Sequence, residues 1–187
     1  MKSVNTAEAD PNIKNFIVDL SCNSGGTSDV VSAMGGILYN DTSIRTIDKR
    51  TGEVKVISFK LDKNMDGKFD EKDDAVKYDL HFAGLTSGVS FSCGNLLPCL
   101  MKENGLPIIG ATSGGGSCNV ELVTTSLGYP VFISAANELI YKDRTSVDAG
   151  AAPNYPIEIG VEQDVNYDFS GFYDIAKLSE YVNSYYK

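Results

Sequence analysis

Short apolar runs alternate with helix-like apolar spacing along the chain, and this pattern predicts a mixed α/β domain. Residues 15–20 form a nearly continuous apolar run that is typical of a buried strand. Gly25 and Gly26 follow as a turn, and beyond them apolar residues recur at helical spacing. These residues are Val30, Val31, Met34, Ile37 and Leu38. The chain therefore begins as a strand, a glycine turn and a helix.

The next segment has the pattern of a hairpin followed by an acidic loop. Residues 43–48 and 53–60 are rich in β-branched residues, and the alternation around Val54 and Val56 predicts a hairpin with one solvated face. An acidic loop at 62–74 then leads to a predicted strand at 78–85. We interpret residues 42–77 as an insertion made of this hairpin and loop.

The second half of the chain continues the alternation of strands and helices. Residues 86–95 form a turn rich in serine and glycine, followed by a predicted helix at 96–103 that Pro98 breaks or offsets. The patterns further predict strands at 107–111, 121–125 and 131–134 and a helix at about 173–185. With 187 residues and no internal repeat, one domain over 1–187 is expected, with 1–13 as a polar lead segment.

Composition excludes several classes of protein. The 25 acidic and 16 basic residues give a formal net charge of -9, which repels a phosphate backbone, so no nucleic acid partner is expected. No apolar run approaches the roughly 18 to 20 residues of a transmembrane span. The first residues are polar, so any secretion signal is expected to lie upstream of Met1.

The four cysteines lack the paired spacing of a zinc site. Cys22, Cys93, Cys99 and Cys118 are expected mainly as small buried side chains. The sequence leaves open whether two of them form a disulfide.

Candidate chemistry concentrates at Ser92. A serine becomes a nucleophile when a base removes its proton and when free N–H groups at a helix N-terminus stabilise an oxyanion. Ser92 lies just before the predicted helix and has this placement. The alternative is that Ser90 and Ser92 are only turn and capping residues, since serine favours both positions in many proteins.

The segments around this serine resemble a known family. Residues 19–26, 86–95 and 108–116 resemble, in this order, three motifs of the C-terminal processing (tail-specific) serine peptidases, and residues 158–165 resemble the closing segment of that family. The resemblance implies an α/β fold with a mixed-sheet, ClpP/crotonase-like ββα core. The hairpin and acidic loop, interpreted below as a calcium loop, are then an insertion in this core. The resemblance also implies a peptide or protein substrate and no catalytic cofactor.

The same resemblance implies roles for individual residues. Ser92 corresponds to the nucleophile of the family, with Ser90 as the fallback. The oxyanion hole corresponds to the backbone N–H of Cys93 together with that of Gly25 or Gly26. Glycine is expected in such a turn because a side chain would block the approach of a substrate carbonyl.

The general base departs from part of the family pattern. One branch uses a lysine shortly after a conserved threonine, but Thr112 is followed here by serine and glycines. The branch that includes tricorn protease uses serine, histidine and glutamate, and Glu158 matches the place of its glutamate. Its histidine comes from a region N-terminal to residue 15, so we expect the base outside this chain, in an absent N-terminal part of a longer protein. His81 is expected to be a strand residue.

These expectations lead to two hypotheses about function. The first is a secreted serine endopeptidase whose isolated core, as present here, is inactive. The alternative is a non-catalytic, calcium-stabilised peptide-binding or surface module that keeps the peptidase fold.

The acidic loop matches an EF-hand calcium loop, with glycine at the sixth position for its sharp turn. The predicted ligands are Asp62, Asn64, Asp66, the Lys68 carbonyl, Asp70 and Asp73. Asp73 replaces the usual glutamate at the twelfth position, and the alternative is a solvated acidic loop. Because isolated loops of this kind bind at extracellular calcium concentrations, the motif favours an extracellular or cell-surface protein with structural Ca²⁺.

Overall fold

Strands and helices alternate in the computed structural model, which describes residues 1–158, 160–162 and 166–187. The α-helices are α1 (Lys2–Glu8), α2 (Ser28–Leu38), α3 (Glu71–Ala75), α4 (Cys93–Glu103) and α5 (Ile175–Tyr185). The strands are β1 (Asn15–Asp19), β2 (Ile44–Asp48), β3 (Val54–Ile57), β4 (His81–Thr86), β5 (Ile108–Gly110), β6 (Cys118–Thr124), β7 (Pro130–Ile140), β8 (Tyr155–Pro156), β9 (Gly160–Glu162) and β10 (Asn166–Asp168). The predicted mixed α/β class is confirmed.

The first sheet is parallel and has the order β1-β4-β5-β8. Its register pairs Val18 with Gly84 and Leu85 with Ile109. Because all four strands run in one direction, the loops that follow them meet at one edge of the sheet, which is where open α/β sheets bind ligands. The serine turn leaves β4 at this edge.

The second sheet is antiparallel and has the order β3-β2-β7-β6. The predicted hairpin is present as β2 and β3, and β2 also pairs with β7, so that Thr46 lies opposite Leu139. The hairpin is therefore part of a four-stranded sheet. Strands β6 and β7 are longer than the sequence predicts and form a projecting ribbon in which Leu122 lies opposite Phe132.

Helix α4 lies in the main hydrophobic core. It begins at Cys93, three residues earlier than predicted, and continues through Pro98. A proline inside a helix costs about 3 kcal/mol. Burial of Leu96, Leu100 and Met101, each at most 3% exposed, offsets this cost because each buried side chain of this size contributes about 1.5–3 kcal/mol.

Two sequence expectations need correction outside the site. The polar lead contains α1, whose Val4 and Ala7 are buried against the core; two apolar positions are too few to give a helical pattern. Of the four cysteines, which are all free, Cys99 alone is buried and Cys22 is exposed. No helix in the described part of the chain has the length and apolarity to cross a membrane.

Candidate active site

Ser92 is the last residue of the turn between β4 and α4 and is the N-terminal cap position of α4. Its backbone has φ 55° and ψ -122°, and a non-glycine residue in such a conformation costs of order 1–3 kcal/mol unless its surroundings hold it there. Its half-buried side chain does not cap the helix. The helix dipole favours negative charge at this end, as the sequence analysis expected.

Neighbouring loops hold this turn through backbone hydrogen bonds. The N–H of Phe91 donates to the carbonyl of Asn23 at 3.0 Å, and the N–H of Ser92 donates to the carbonyl of Gly115 at 2.9 Å. Asn23 follows β1 and Gly115 follows β5, the two strands that flank β4. The fold therefore fixes the strained serine from both sides.

Two glycines allow the close approach that this arrangement needs. A Cβ on Gly25 would lie 2.8 Å from the Cβ of Ser92, and a Cβ on Gly116 would lie 2.9 Å from the Ser92 nitrogen. Both residues also have positive φ, which glycine adopts at little cost. The backbone at Gly25 and Gly116 therefore lies too close to Ser92 to leave room for a side chain.

The backbone N–H groups of Cys93 and Gly26 are two of the predicted oxyanion donors. Neither donates a hydrogen bond to any residue that the structure describes, whereas the N–H of Gly25 donates to Oδ1 of Asn23 at 2.9 Å. Of the two glycines predicted as alternative donors, Gly25 therefore already uses its N–H within the turn. The Cys93 thiol donates to the Gly26 carbonyl at 3.2 Å, and burial raises the pKa of this thiol, which keeps it protonated as a donor.

Ser90, the fallback nucleophile, has a structural role. It is fully buried, its hydroxyl donates to the carbonyl of Leu20 at 2.7 Å, and it accepts from the N–H of Ser87 at 3.0 Å. A buried hydroxyl with both bonds satisfied cannot reach a substrate.

Glu158 lies at the same edge of the parallel sheet as Ser92, two residues after the end of β8, and is exposed. Strand β5 separates β8 from β4. No hydrogen bond or ion pair joins Glu158 to another residue in the described ranges. Residues 159 and 163–165 of the predicted closing segment lie outside the described residues.

His81 lies at the first residue of β4, at the opposite edge of the sheet from Ser92. Its ring stacks on Tyr186 with centroids 4.4 Å apart, and Nδ1 is 3.2 Å from Oδ1 of Asn15. Five residue steps separate His81 from Thr86, which is about 16 Å along a strand. His81 is therefore a strand residue, as expected, and is not the base for Ser92.

A polar network behind the 114–117 loop was missed by the sequence analysis. Glu138 of β7 accepts from Ser117 Oγ at 3.0 Å and from Ser146 Oγ at 2.7 Å, and forms an ion pair with Lys49 at 2.9 Å. Burial would raise the pKa of Glu138, but the bonds from Ser146, Lys49 and Ser117 outweigh it and lower the pKa. No local motif indicates this network, because its members come from four separate segments.

The carboxylates of the acidic loop mainly accept backbone N–H groups. Asp62 accepts from Asp66 and Gly67, and Asp66 accepts from Lys68, at 2.8–3.1 Å. No group of three or more His, Cys, Asp or Glu side chains among the described residues is arranged to hold a metal ion. Calcium binding would therefore need these side chains to converge.

Asp73, at the twelfth loop position, is buried and already well bonded. Its Oδ1 accepts from the N–H groups of Lys63 and Asn64, and its Oδ2 accepts from that of Asp70. Each carboxylate oxygen has about two acceptor sites, so only Oδ2 has one left. Asp73 can therefore offer a cation one oxygen at most, while Asp62, Asn64, Asp66 and Asp70 supply suitable oxygen donors.

The chain is similar to known proteins over most of its length. The model of Peptidase family S41 matches residues 1–157. No curated protein matches the chain. Similar solved structures include a lipoprotein from Streptococcus agalactiae, with 18% identity, a TM-score of 0.57, and coverage of 84% of this chain and 55% of that one.

Two named peptidases share the fold. The photosystem II D1 C-terminal processing protease has 14% identity and a TM-score of 0.60 over 84% of this chain and 39% of its own. The tricorn protease has 17% identity and a TM-score of 0.51 over 91% of this chain and 15% of its own. This chain thus spans about half or less of the structures it matches. The match over 157 residues, with the shared fold, shows that the chain belongs to peptidase family S41.

Proposed function

We propose that the protein containing this chain hydrolyses peptide bonds through an acyl-enzyme on Ser92. Ser92 Oγ attacks the substrate carbonyl, and the N–H groups of Cys93 and Gly26 bind the oxyanion that forms. An external general base accepts the Ser92 Oγ proton during the attack and passes it to the leaving amine as the C–N bond breaks. Water then attacks the acyl-enzyme, the base takes its proton, and the acid product leaves while Ser92 Oγ regains a proton. The observation that carries this proposal is that the N–H groups of Cys93 and Gly26, near the strained Ser92, have no acceptor among the described residues.

The general base is a histidine supplied from outside this chain, and Glu158 orients its imidazole. The position of His81 at the opposite edge of the sheet supports an external base. Glu158 follows a parallel strand and so lies at the edge that carries Ser92. A carboxylate there would fix the ring and stabilise the imidazolium.

The substrate is a peptide or protein, and the protein acts outside the cell or at its surface. Membership of a peptidase family supports the substrate class. The similarity to a streptococcal lipoprotein supports the surface location.

The 62–73 loop binds structural Ca²⁺ in this proposal. Asp66 and Asp70 are exposed, the proposed ligands lie near one another in sequence, and the positive φ of Gly67 gives the sharp turn that such loops need. The single free acceptor site on Asp73 favours binding at the weak, extracellular end of the range.

A serine-directed fluorophosphonate probe and a fluorogenic peptide test this function on the complete protein. We expect the probe to label the peptide that contains Ser92, and Ser92→Ala to abolish labelling and hydrolysis. Ser24→Ala, an exposed serine in the neighbouring turn, is the matched control and should retain both. Labelling at another serine, or full hydrolysis by Ser92→Ala, would contradict the assignment.

The same experiment distinguishes the proposed enzyme from the alternative, a non-catalytic binding module. A non-catalytic module that keeps the fold would show no labelling at any serine and no hydrolysis by the complete protein, while still binding peptide.

A further inference from the structure

We propose that Asp148 is a positioning residue for Ser92 and acts through the single peptide group that joins Gly115 to Gly116. This inference rests on the proposed role of Ser92 as the nucleophile. Asp148 lies in the 3₁₀ turn Val147–Ala149, more than fifty positions from Ser92 in the sequence, and no family motif quoted above includes it.

The two ends of this peptide group make different hydrogen bonds. Its N–H, on Gly116, donates to Oδ1 of Asp148 at 2.9 Å. Its carbonyl, on Gly115, accepts from the N–H of Ser92 at 2.9 Å. A planar peptide group moves as one unit, so the Asp148 carboxylate sets the direction of the carbonyl that holds Ser92.

This peptide group would otherwise be easy to rotate. The glycines on either side have φ of 81° and 90°, and glycine has no side chain to oppose a change of conformation. In the reversed orientation the N–H of Gly116 would face the N–H of Ser92, and two donors would repel. The carboxylate of Asp148 stabilises the orientation that Ser92 requires, and its charge strengthens the bond through the peptide.

Asp148 is itself held in place. Its Oδ1 also accepts from the N–H of Ser117 at 3.0 Å, and its own N–H donates to Ser146 Oγ at 3.1 Å. The neighbouring carbonyl of Val147 accepts from Nδ2 of Asn95 in the first turn of α4 at 2.9 Å. The 3₁₀ turn thus contacts both the 114–117 loop and helix α4, whose N-terminal cap residue is Ser92.

Hydrogen exchange of the Ser92 amide, followed by NMR on the folded chain, tests this inference without any need for catalysis. Asp148→Ala should speed exchange of this amide by about tenfold or more, because its acceptor is no longer fixed. Asp148→Asn keeps an oxygen acceptor and should stay within about threefold of the unmodified chain. Asp143→Ala removes an aspartate that caps its own turn by accepting from Thr145, and should leave Ser92 unchanged.

The amide of Val182, buried in α5, reports any general loss of stability. We expect it to be unaffected by all three changes. Unchanged exchange at Ser92 in Asp148→Ala, or equal acceleration at Ser92 and Val182, would overturn the proposal. In the complete enzyme, Asp148→Ala should lower kcat by about tenfold to a hundredfold and leave KM within about twofold, with Asp148→Asn restoring most of kcat.

These measurements also separate the two proposals. If the probe labels a serine other than Ser92, the proposed function is wrong, yet the exchange result would still show whether Asp148 fixes this backbone. If the probe labels Ser92 but Asp148→Ala changes neither exchange nor kcat, only the positioning role is wrong.

Discussion

Gly25 lies so close to Ser92 that a side chain at position 25 would clash with the serine. A Cβ at Gly25 would be 2.8 Å from Ser92 Cβ and 3.2 Å from Ser92 Oγ, whereas a Cβ at Gly26 would meet nothing within 4 Å. Both glycines have positive φ, so replacing either one by alanine strains the backbone. Only the replacement at position 25 also produces a clash with Ser92.

We therefore expect Gly25→Ala to abolish nearly all fluorophosphonate labelling and hydrolysis in the complete enzyme, because the new methyl group must displace the nucleophile. Displacements of about 1 Å at a reacting group can cost about a hundredfold in rate. Gly26→Ala is the matched control and should lose less activity. Equal activity of the two variants would contradict this explanation.

Alanine substitutions at Ser90 and at Ser92 are expected to differ in their effect on stability. Ser90→Ala removes a buried hydroxyl that bridges the Leu20 carbonyl and the Ser87 N–H, so it should lower the free energy of unfolding by about 1–3 kcal/mol. Ser92→Ala should change it by less than about 1 kcal/mol, since its side chain forms no cap bond. Urea unfolding of the two variants measures both values. A larger loss of stability in Ser92→Ala would contradict the structural assignment.

The sequence predicts the elements around Ser92 because each carries a local signal. The structure has strands at the two predicted apolar runs, 15–20 and 107–111, to within two residues. The predicted turn at Gly25 and Gly26 lies between β1 and α2. The meeting of these elements at one edge follows from the parallel pairing of β1, β4 and β5, which the expectation of a mixed sheet did not specify.

Other features depend on contacts between distant segments and leave no local signal. Whether Gly25 or Gly26 offers a free N–H depends on the rotamer of Asn23, and the role of Ser90 depends on the Leu20 carbonyl. The early start of α4 follows from its burial, which overrides the turn chemistry of residues 92–95. The link from Asp148 to Ser92 passes through a backbone peptide and is invisible to side-chain patterns.

The isolated 187-residue chain is expected to hydrolyse casein or a fluorogenic peptide at a negligible rate, because a serine hydroxyl without a base is almost entirely protonated at neutral pH. His81→Ala should not change this rate, since His81 lies at the opposite edge of the sheet. If the isolated chain hydrolysed substrate rapidly and His81→Ala abolished this activity, His81 would be the general base and the proposal of an external histidine would be wrong.

Calcium is expected to stabilise the folded chain by binding the 62–73 loop. Millimolar Ca²⁺ should raise the midpoint of thermal unfolding by mass action, and calorimetry should detect the binding. Asp66→Ala removes a proposed ligand and should weaken both effects. Asp74→Ala, an exposed aspartate just beyond the loop, is the control. Equal binding by Asp66→Ala would exclude the proposed site.

The Glu138–Lys49 pair should contribute stability that depends on pH. Hydrogen bonds from Ser146, Lys49 and Ser117 outweigh burial and hold the pKa of folded Glu138 below its ordinary value of 4.5. A lowered pKa means that the folded state favours the ionised carboxylate, so this stability is fully present above about pH 4.5 and is lost as the pH falls through the folded-state pKa.

Replacing Glu138 with glutamine places an amide donor beside the Lys49 ammonium. Glu138→Gln should therefore lower the free energy of unfolding by about 1–3 kcal/mol at pH 7, and the difference from the unmodified chain should shrink near pH 3. Urea unfolding at both pH values measures this difference. Asp143→Asn, which changes an exposed carboxylate outside the network, controls for general acid effects. A difference that stays constant from pH 7 to pH 3 would show that the charge of Glu138 does not stabilise the network behind the serine loop.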